Sequence, residues 1–115
     1  MSTDSNCIFC KIVAGAIPSK KAYEDAELLV FHDINPWAPV HVLIVPKRHI
    51  ASLADTGVAD EALLGRMLAL APRLMQQLGV ANGFRVVVNT GRDGGQEVDH
   101  LHVHVMGGPR PWTRG

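Results

Sequence analysis

The chain lacks any surplus of charge. Eleven Lys and Arg residues stand against eleven Asp and Glu, for a formal net charge of zero. Proteins that hold polymeric nucleic acid show a basic surplus or a basic stripe. Neither is visible, so no nucleic acid is expected as a partner. Long apolar runs are missing too: a stretch such as Val42 to Val45 is far too short, since a membrane-spanning helix needs about 20 residues, so no membrane is expected. The opening segment, MSTDSNCIFC, is polar and without the apolar stretch of a secretory signal. A cytoplasmic protein is the expectation. Cysteine is scarce, with Cys7 and Cys10 alone. In a reducing compartment free thiols or metal ligands are expected there, not a disulfide. Repeats, low-complexity segments and internal linkers are absent as well.

What is present is enough for one core. Of the 115 residues, 47% are apolar, and a chain of this length fits a single domain. The domain is expected over 1–115, with a flexible N-terminus at 1–6 and a C-terminal tail at 109–115. Cys7 to Ala14 reads as a short helix ended by Gly15 and Pro18. Lys20 to Glu24 and Glu27 to Asp33 read as strands joined by a tight turn at Asp25-Ala26. A turn-rich loop, Asn35-Pro36-Trp37-Ala38-Pro39, leads to an apolar strand over His41 to Val45. Asp60 to Leu78 is the one clear long helix. Leu63, Leu64, Met67, Leu70, Leu74 and Leu78 share a face, Asp60 is a candidate N-cap, and Gly79 is a stop. Pro72 is awkward within it and predicts a kink. Phe84 to Asn89 and Leu101 to Val105 complete five strands. One long helix, a short N-terminal helix and short connections imply an α+β fold with an antiparallel sheet.

The chemistry concentrates in His100-Leu101-His102-Val103-His104. Alternate residues of a strand share a face, so three imidazoles are expected on one side and Leu101 and Val103 on the other. A solvated polar face, a metal site and a phosphate site all fit that row. The preceding Asn89-Thr90-Gly91-Arg92-Asp93-Gly94-Gly95-Gln96 is rich in glycine, which lets backbone N–H groups converge on an anion. Beside a histidine row such a loop favours phosphate, although it also reads as an ordinary hairpin connection. Cys7-Ile8-Phe9-Cys10 is a C-x-x-C pair: a redox pair, two buried thiols or half a zinc site. With no other cysteine, zinc would need two histidines.

The run from Gly94 to Gly108, GGQEVDHLHVHVMGG, resembles the signature of the histidine-triad family, and most nearly its Hint branch of nucleoside phosphoramidases. Phe31 to Pro36, Ala38 to His41, Ile44 to His49 and Val88-Asn89 match as well, so the similarity runs from about Cys7 to Gly108. The resemblance implies a HIT-like fold, homodimers and binding of purine nucleotides (AMP or GMP derivatives). It implies that His102 attacks the α-phosphorus through Nε2, with its Nδ1–H on a backbone carbonyl, giving a nucleotidyl-histidine that water hydrolyses. His104 and Asn89, with amides near Gly95 and Gln96, would hold phosphate oxygens, and His41 would lie behind His102. Asp33 would take the ribose hydroxyls, and Phe9, Ile12, Ile17, Phe31, His32 and Ile34 would form the base pocket. In similar bacterial members a C-x-x-C joins the histidine after the Pro-Lys segment and the first triad histidine; here Cys7, Cys10, His49 and His100 would hold a structural Zn²⁺. Dinucleoside polyphosphate hydrolysis, as in the Fhit-like branch, a nucleotide-binding adaptor and a metal-binding role for all three triad histidines are the alternatives. The tail, with Trp112, is expected to reach a partner's site or to be disordered. One position departs from the pattern. Many Hint-like proteins place a small hydroxyl residue three positions before the first triad histidine, and this chain has Glu97. Glu97 either turns away or faces the leaving group in protonated form, as a general acid.

Overall fold

The computed structural model describes residues 6–113. The expected flexible N-terminus lies, apart from Asn6, outside the described residues, and so do the last two residues of the tail. The elements are α1 (Ile8–Val13), β1 (Lys21–Glu24), β2 (Leu28–His32), β3 (Val40–Pro46), α2 (Glu61–Gln77), β4 (Phe84–Val87) and β5 (Val103–Gly107). Five strands form one antiparallel sheet in the order β1-β2-β3-β5-β4. The fold is α+β, as the sequence implies.

The strands alternate between two cores. Leu28 and Val30, Val42 and Ile44, and Val103 and Val105 pack with Met67, Leu70, Ala71, Leu74 and Met75 of α2. Leu29 and Phe31, with Leu43 and Val45, pack on the other face with Phe9, Cys10 and Ile12 of α1. The central strands are therefore apolar on both faces, which is why the run through Val45 reads as continuous rather than alternating. Strand β4 is an edge, with Phe84 and Val86 partly in solvent.

Helix α2 ends as its glycine implies. Gly79 has φ +81°, the Val80 N–H donates to Met75 and the Gly79 N–H to Gln76, which is the Schellman pattern. Its start differs from expectation. Asp60 occupies the N-cap, but its carboxylate takes the Gly57 N–H and Arg48, serving the 3₁₀ turn ahead of the helix. The helix continues through Pro72, which lies on the exposed face. No helix among the described residues is long and apolar enough to cross a membrane.

The last two strands are shifted from their expected bounds. Strand β5 begins at Val103, not Leu101, because the Leu101 N–H donates to Ile50 (2.6 Å) and leaves the ladder. Strand β4 ends at Val87, not Asn89, and hands the chain to the glycine loop. Within the tail, Thr113 N–H donates to Trp37, Trp112 Nε1–H donates to Gly108, and Arg85 and Arg110 cover the indole. The described part of the tail thus packs on its own chain.

Candidate active site

The site grows from β3, β5 and the segment that leads into β5, where four of the chain's histidines are buried: His41, His100, His102 and His104. Two main-chain atoms settle how their protons lie. The carbonyl of His100 is 2.6 Å from His102 Nδ1. A carbonyl only accepts, so Nδ1 carries the hydrogen and Nε2 keeps its lone pair. The Trp37 N–H lies 3.1 Å from His41 Nδ1. An amide only donates, so His41 Nδ1 accepts and Nε2 is protonated. His41 Nε2 is 2.9 Å from His104 Nδ1 and donates to it, which leaves the hydrogen of neutral His104 on Nε2. Two neighbouring imidazoles, 5.0 Å apart by ring centre, therefore hold opposite tautomers. His41 stands against His104, not behind His102 as expected. In the β3–β5 register His104 lies opposite Leu43, and Trp37 stacks on its far side (5.5 Å, 16°).

Burial holds these rings neutral. It pushes His41, His100 and His102 below the ordinary imidazole value. His104 falls to about 4, first through burial and then through repulsion from His102 and His41. The carboxylates of Asp33 and Glu97 oppose the fall at His102.

His102 and His104 line a cavity of about 390 Å³. The expected base-pocket residues Phe9, Ile12, Ile17, Phe31, His32 and Ile34 are all in its wall, with Asp33, Asn89, Gly95 and Glu97. Ile8, Pro18, Ser19, Asn35, Trp37, Leu43 and Val98 complete it, and none of these is marked by the sequence reading. For Trp37 the signal was its place in the loop between Asp33 and His41. Asp33 Oδ1 accepts from the Asn35 N–H (2.8 Å), and Oδ2 lies 3.6 Å from His41 Nε2. Glu97 is among the residues that line the cavity, and it is exposed.

Gln96 corrects the expectation. It is not in the wall, because its side chain is committed to the loop: it accepts from the Gly91 N–H and donates to Ala51 and Val98. The Gly95 and Gln96 amides are likewise spent on Arg92 and Gly91. Asn89 Nδ2 donates to Gly94 (2.8 Å) and braces the same loop. Gly94 is required by space, since a Cβ there would meet the Thr90 carbonyl oxygen at 2.2 Å.

His100 points elsewhere than its two triad neighbours. Its Nδ1 lies 3.3 Å from Cys7 Sγ and 3.4 Å from Cys10 Sγ, and His49 Nδ1 lies 3.2 Å from Cys10 Sγ. His100 Nε2–H donates to the Pro46 carbonyl (2.8 Å), so Nδ1 offers a lone pair to the thiols. All four ligand atoms fall within 4.8 Å of one another, a set that could hold a metal ion. Burial pushes the Cys7 thiol up. Phe9, between the two cysteines, contacts both His100 (6.0 Å) and His102 (5.1 Å) edge-on.

A HIT domain model matches residues 14–110. The chain belongs to the HIT family. It is 50% identical over 104 residues to the protein HitA of Neisseria gonorrhoeae, covering 90% of this chain and 97% of that one. A histidine triad protein from Clostridium difficile superposes with TM-score 0.91 at 43% identity, over 96% of both chains. A HIT family hydrolase from Legionella pneumophila gives 0.88 at 46%, over 91% of this chain and 95% of that one. The family fold is thus the one described above.

Proposed function

We propose that this HIT protein is a nucleotide-binding hydrolase that cleaves the P–N bond of purine nucleoside phosphoramidates. One observation carries the reading: His102 and His104 line one cavity in opposite tautomers. The first supplies a lone pair, the second a hydrogen, and both are neutral at physiological pH. The purine occupies the apolar slot of Phe9, Ile12, Ile17 and Phe31, beside His32 and Ile34, and Asp33 takes the ribose hydroxyls. His102 Nε2 bonds to the α-phosphorus as the P–N bond breaks. The nitrogen leaves with the bonding pair and takes a proton from solvent. Water then attacks phosphorus, loses its own proton and releases the nucleotide from Nε2. The His104 Nε2–H and the second N–H of Asn89 hold the phosphate oxygens; such fixed donors carry most of the catalysis in phosphoryl transfer.

The charge of the cavity favours an amide over a polyphosphate. Among the described residues its wall holds Asp33 and Glu97 and no lysine or arginine. A dinucleoside polyphosphate would bring further negative charge against those carboxylates, whereas an amine brings none. The Cys7, Cys10, His49 and His100 set suits zinc: at Zn–S of about 2.3 Å and Zn–N of about 2.0–2.1 Å, tetrahedral ligands stand about 3.5 Å apart, close to the separations found. The ion would supply folding energy and no step of the reaction. Edge strand β4, with Phe84 and Val86 exposed, is where a second copy would extend the sheet into a homodimer. A reducing cytoplasm suits the free thiols.

The test is a rapid quench in alkali of protein mixed with an adenosine phosphoramidate. A nucleotidyl adduct on His102 is expected by mass spectrometry. In His102→Ala the adduct is absent and kcat falls about 10⁴-fold or more, the usual cost of a lost nucleophile, while AMP affinity stays within a few-fold. Retention of a tenth of the activity overturns the assignment.

A further inference from the structure

Most acidic side chains near structured elements have partners. Glu24 meets Lys21 and Lys47, Asp60 meets Arg48, and Asp25 and Glu27 meet Arg66. Asp33 is held by the Asn35 N–H and His41. Glu97 is different. It lines the active-site cavity and is exposed, and among the described residues its carboxylate has no hydrogen bond or ion pair. The basic residues do not compensate: Arg92, on the same loop, faces Asp93 and is almost wholly exposed. Glu97 also stands on the His102 side, where its charge is felt by that imidazole. A carboxylate in an anion-binding cavity opposes the anion unless something cationic lies between or beyond.

We infer that Glu97 selects the leaving group: it forms an ion pair with a second, distal positive charge on the amine portion of the substrate. The preferred amines are then diamines or basic amino acids, not neutral alkyl or aryl amines. The inference rests on the proposed reaction for its placement of phosphate. With the base in the apolar slot, the ribose at Asp33 and the phosphate at His102 and His104, Glu97 is the charged residue of the wall left for the group across the scissile bond. The ion pair is solvent-accessible, so its contribution is modest and sensitive to salt.

The experiment uses two adenosine 5′-alkylphosphonates in which an uncleavable P–CH₂ bond replaces P–N. Their chains match in length; one ends in methyl, the other in ammonium. Dissociation constants are measured by calorimetry at low and high salt. Wild type should bind the ammonium form about three- to fivefold tighter at low salt, the range of an exposed ion pair, and the ratio should shrink as salt rises. Glu97→Gln should bring the ratio to about one, and Glu97→Lys should invert it. A wild-type ratio below 1.5, or a ratio unchanged in Glu97→Gln, overturns the inference. Glu97 as proton donor would respond to the basicity of the departing nitrogen, which these analogues lack, so that role cannot produce the ratio. Preference for the ammonium form without cleavage of the matching P–N compounds would sustain this inference and overturn the proposed reaction. Equal binding with cleavage of both would do the reverse, and failure of both analogues to bind would overturn both.

Discussion

Asp33 serves two neighbours at once, and a single substitution separates them. One oxygen sits 3.6 Å from His41 Nε2 and the residue lines the cavity. Asp33→Ala should therefore weaken every nucleotide a little through His41, and ribonucleotides further. Hydrogen bonds from hydroxyls to a charged acceptor contribute about 1.5–3 kcal/mol each, and 2′,3′-dideoxy analogues lack them. Titration of AMP and its dideoxy analogue into both proteins measures the difference; equal losses would mean that Asp33 does not touch the ribose. At this scale much was legible. His102, His104 and the residues that the resemblance assigns to a base pocket were named from the motif, and the structure brings them to one cavity. The partner of His41 was not, because which imidazole it meets depends on the β3–β5 register, which side-chain alternation leaves open. The amides of Gly95 and Gln96, expected on phosphate, were opaque for a similar reason: amides beside glycines look available until the turn gives them to Arg92 and Gly91.

Helix α1 is only six residues long, too short to be stable by itself. Its anchorage comes from Phe9 and Ile12 in the core and from the two thiols beside His49 and His100. Protein prepared with adequate zinc should carry about one ion per chain by elemental analysis. Cys7→Ser with Cys10→Ser should remove it and lower the melting temperature markedly. Turnover should fall less than tenfold, through the loosened contact of Phe9 on His102, because no ligand of the cluster touches phosphate. Metal-free wild type, or a double variant that melts with wild type, would contradict the assignment. The elements themselves were readable: periodicity placed α2 and the first three strands within a residue or so. The start of β5 was not, since the amide of Leu101 is taken by Ile50, a partner 51 positions away by number that no local pattern reveals.

For the molecule as a whole, burying four neutral imidazoles makes stability depend on pH. An unfolded imidazole gains its proton near pH 6.5, while folded His104 waits until about 4. Between those values the unfolded state binds more protons, so acid favours unfolding. The stability is complete above pH 6.5 and is lost as pH falls towards 4. At 1.36 kcal/mol per pKa unit, His104 alone accounts for a loss on the order of 3 kcal/mol. His41, His100 and His102 shift in the same direction. Urea denaturation at pH 7.5, 6 and 5 should show the decline, and His104→Phe should flatten part of it. Superimposable pH dependence in the two proteins would rule His104 out as a source.

Position 100 joins two duties that belong to different parts of one residue. Its imidazole faces the thiols, while its carbonyl sets the proton on His102. Every amino acid has that carbonyl. The side chain can therefore be exchanged over generations, and the cluster lost with it, while His102 Nε2 keeps its lone pair in place. The proposed metal binding and the proposed phosphorus chemistry are thus free to part company in descent. A chain that lost the cysteine pair would need no new device to orient the His102 ring, only another way to fasten the first helix.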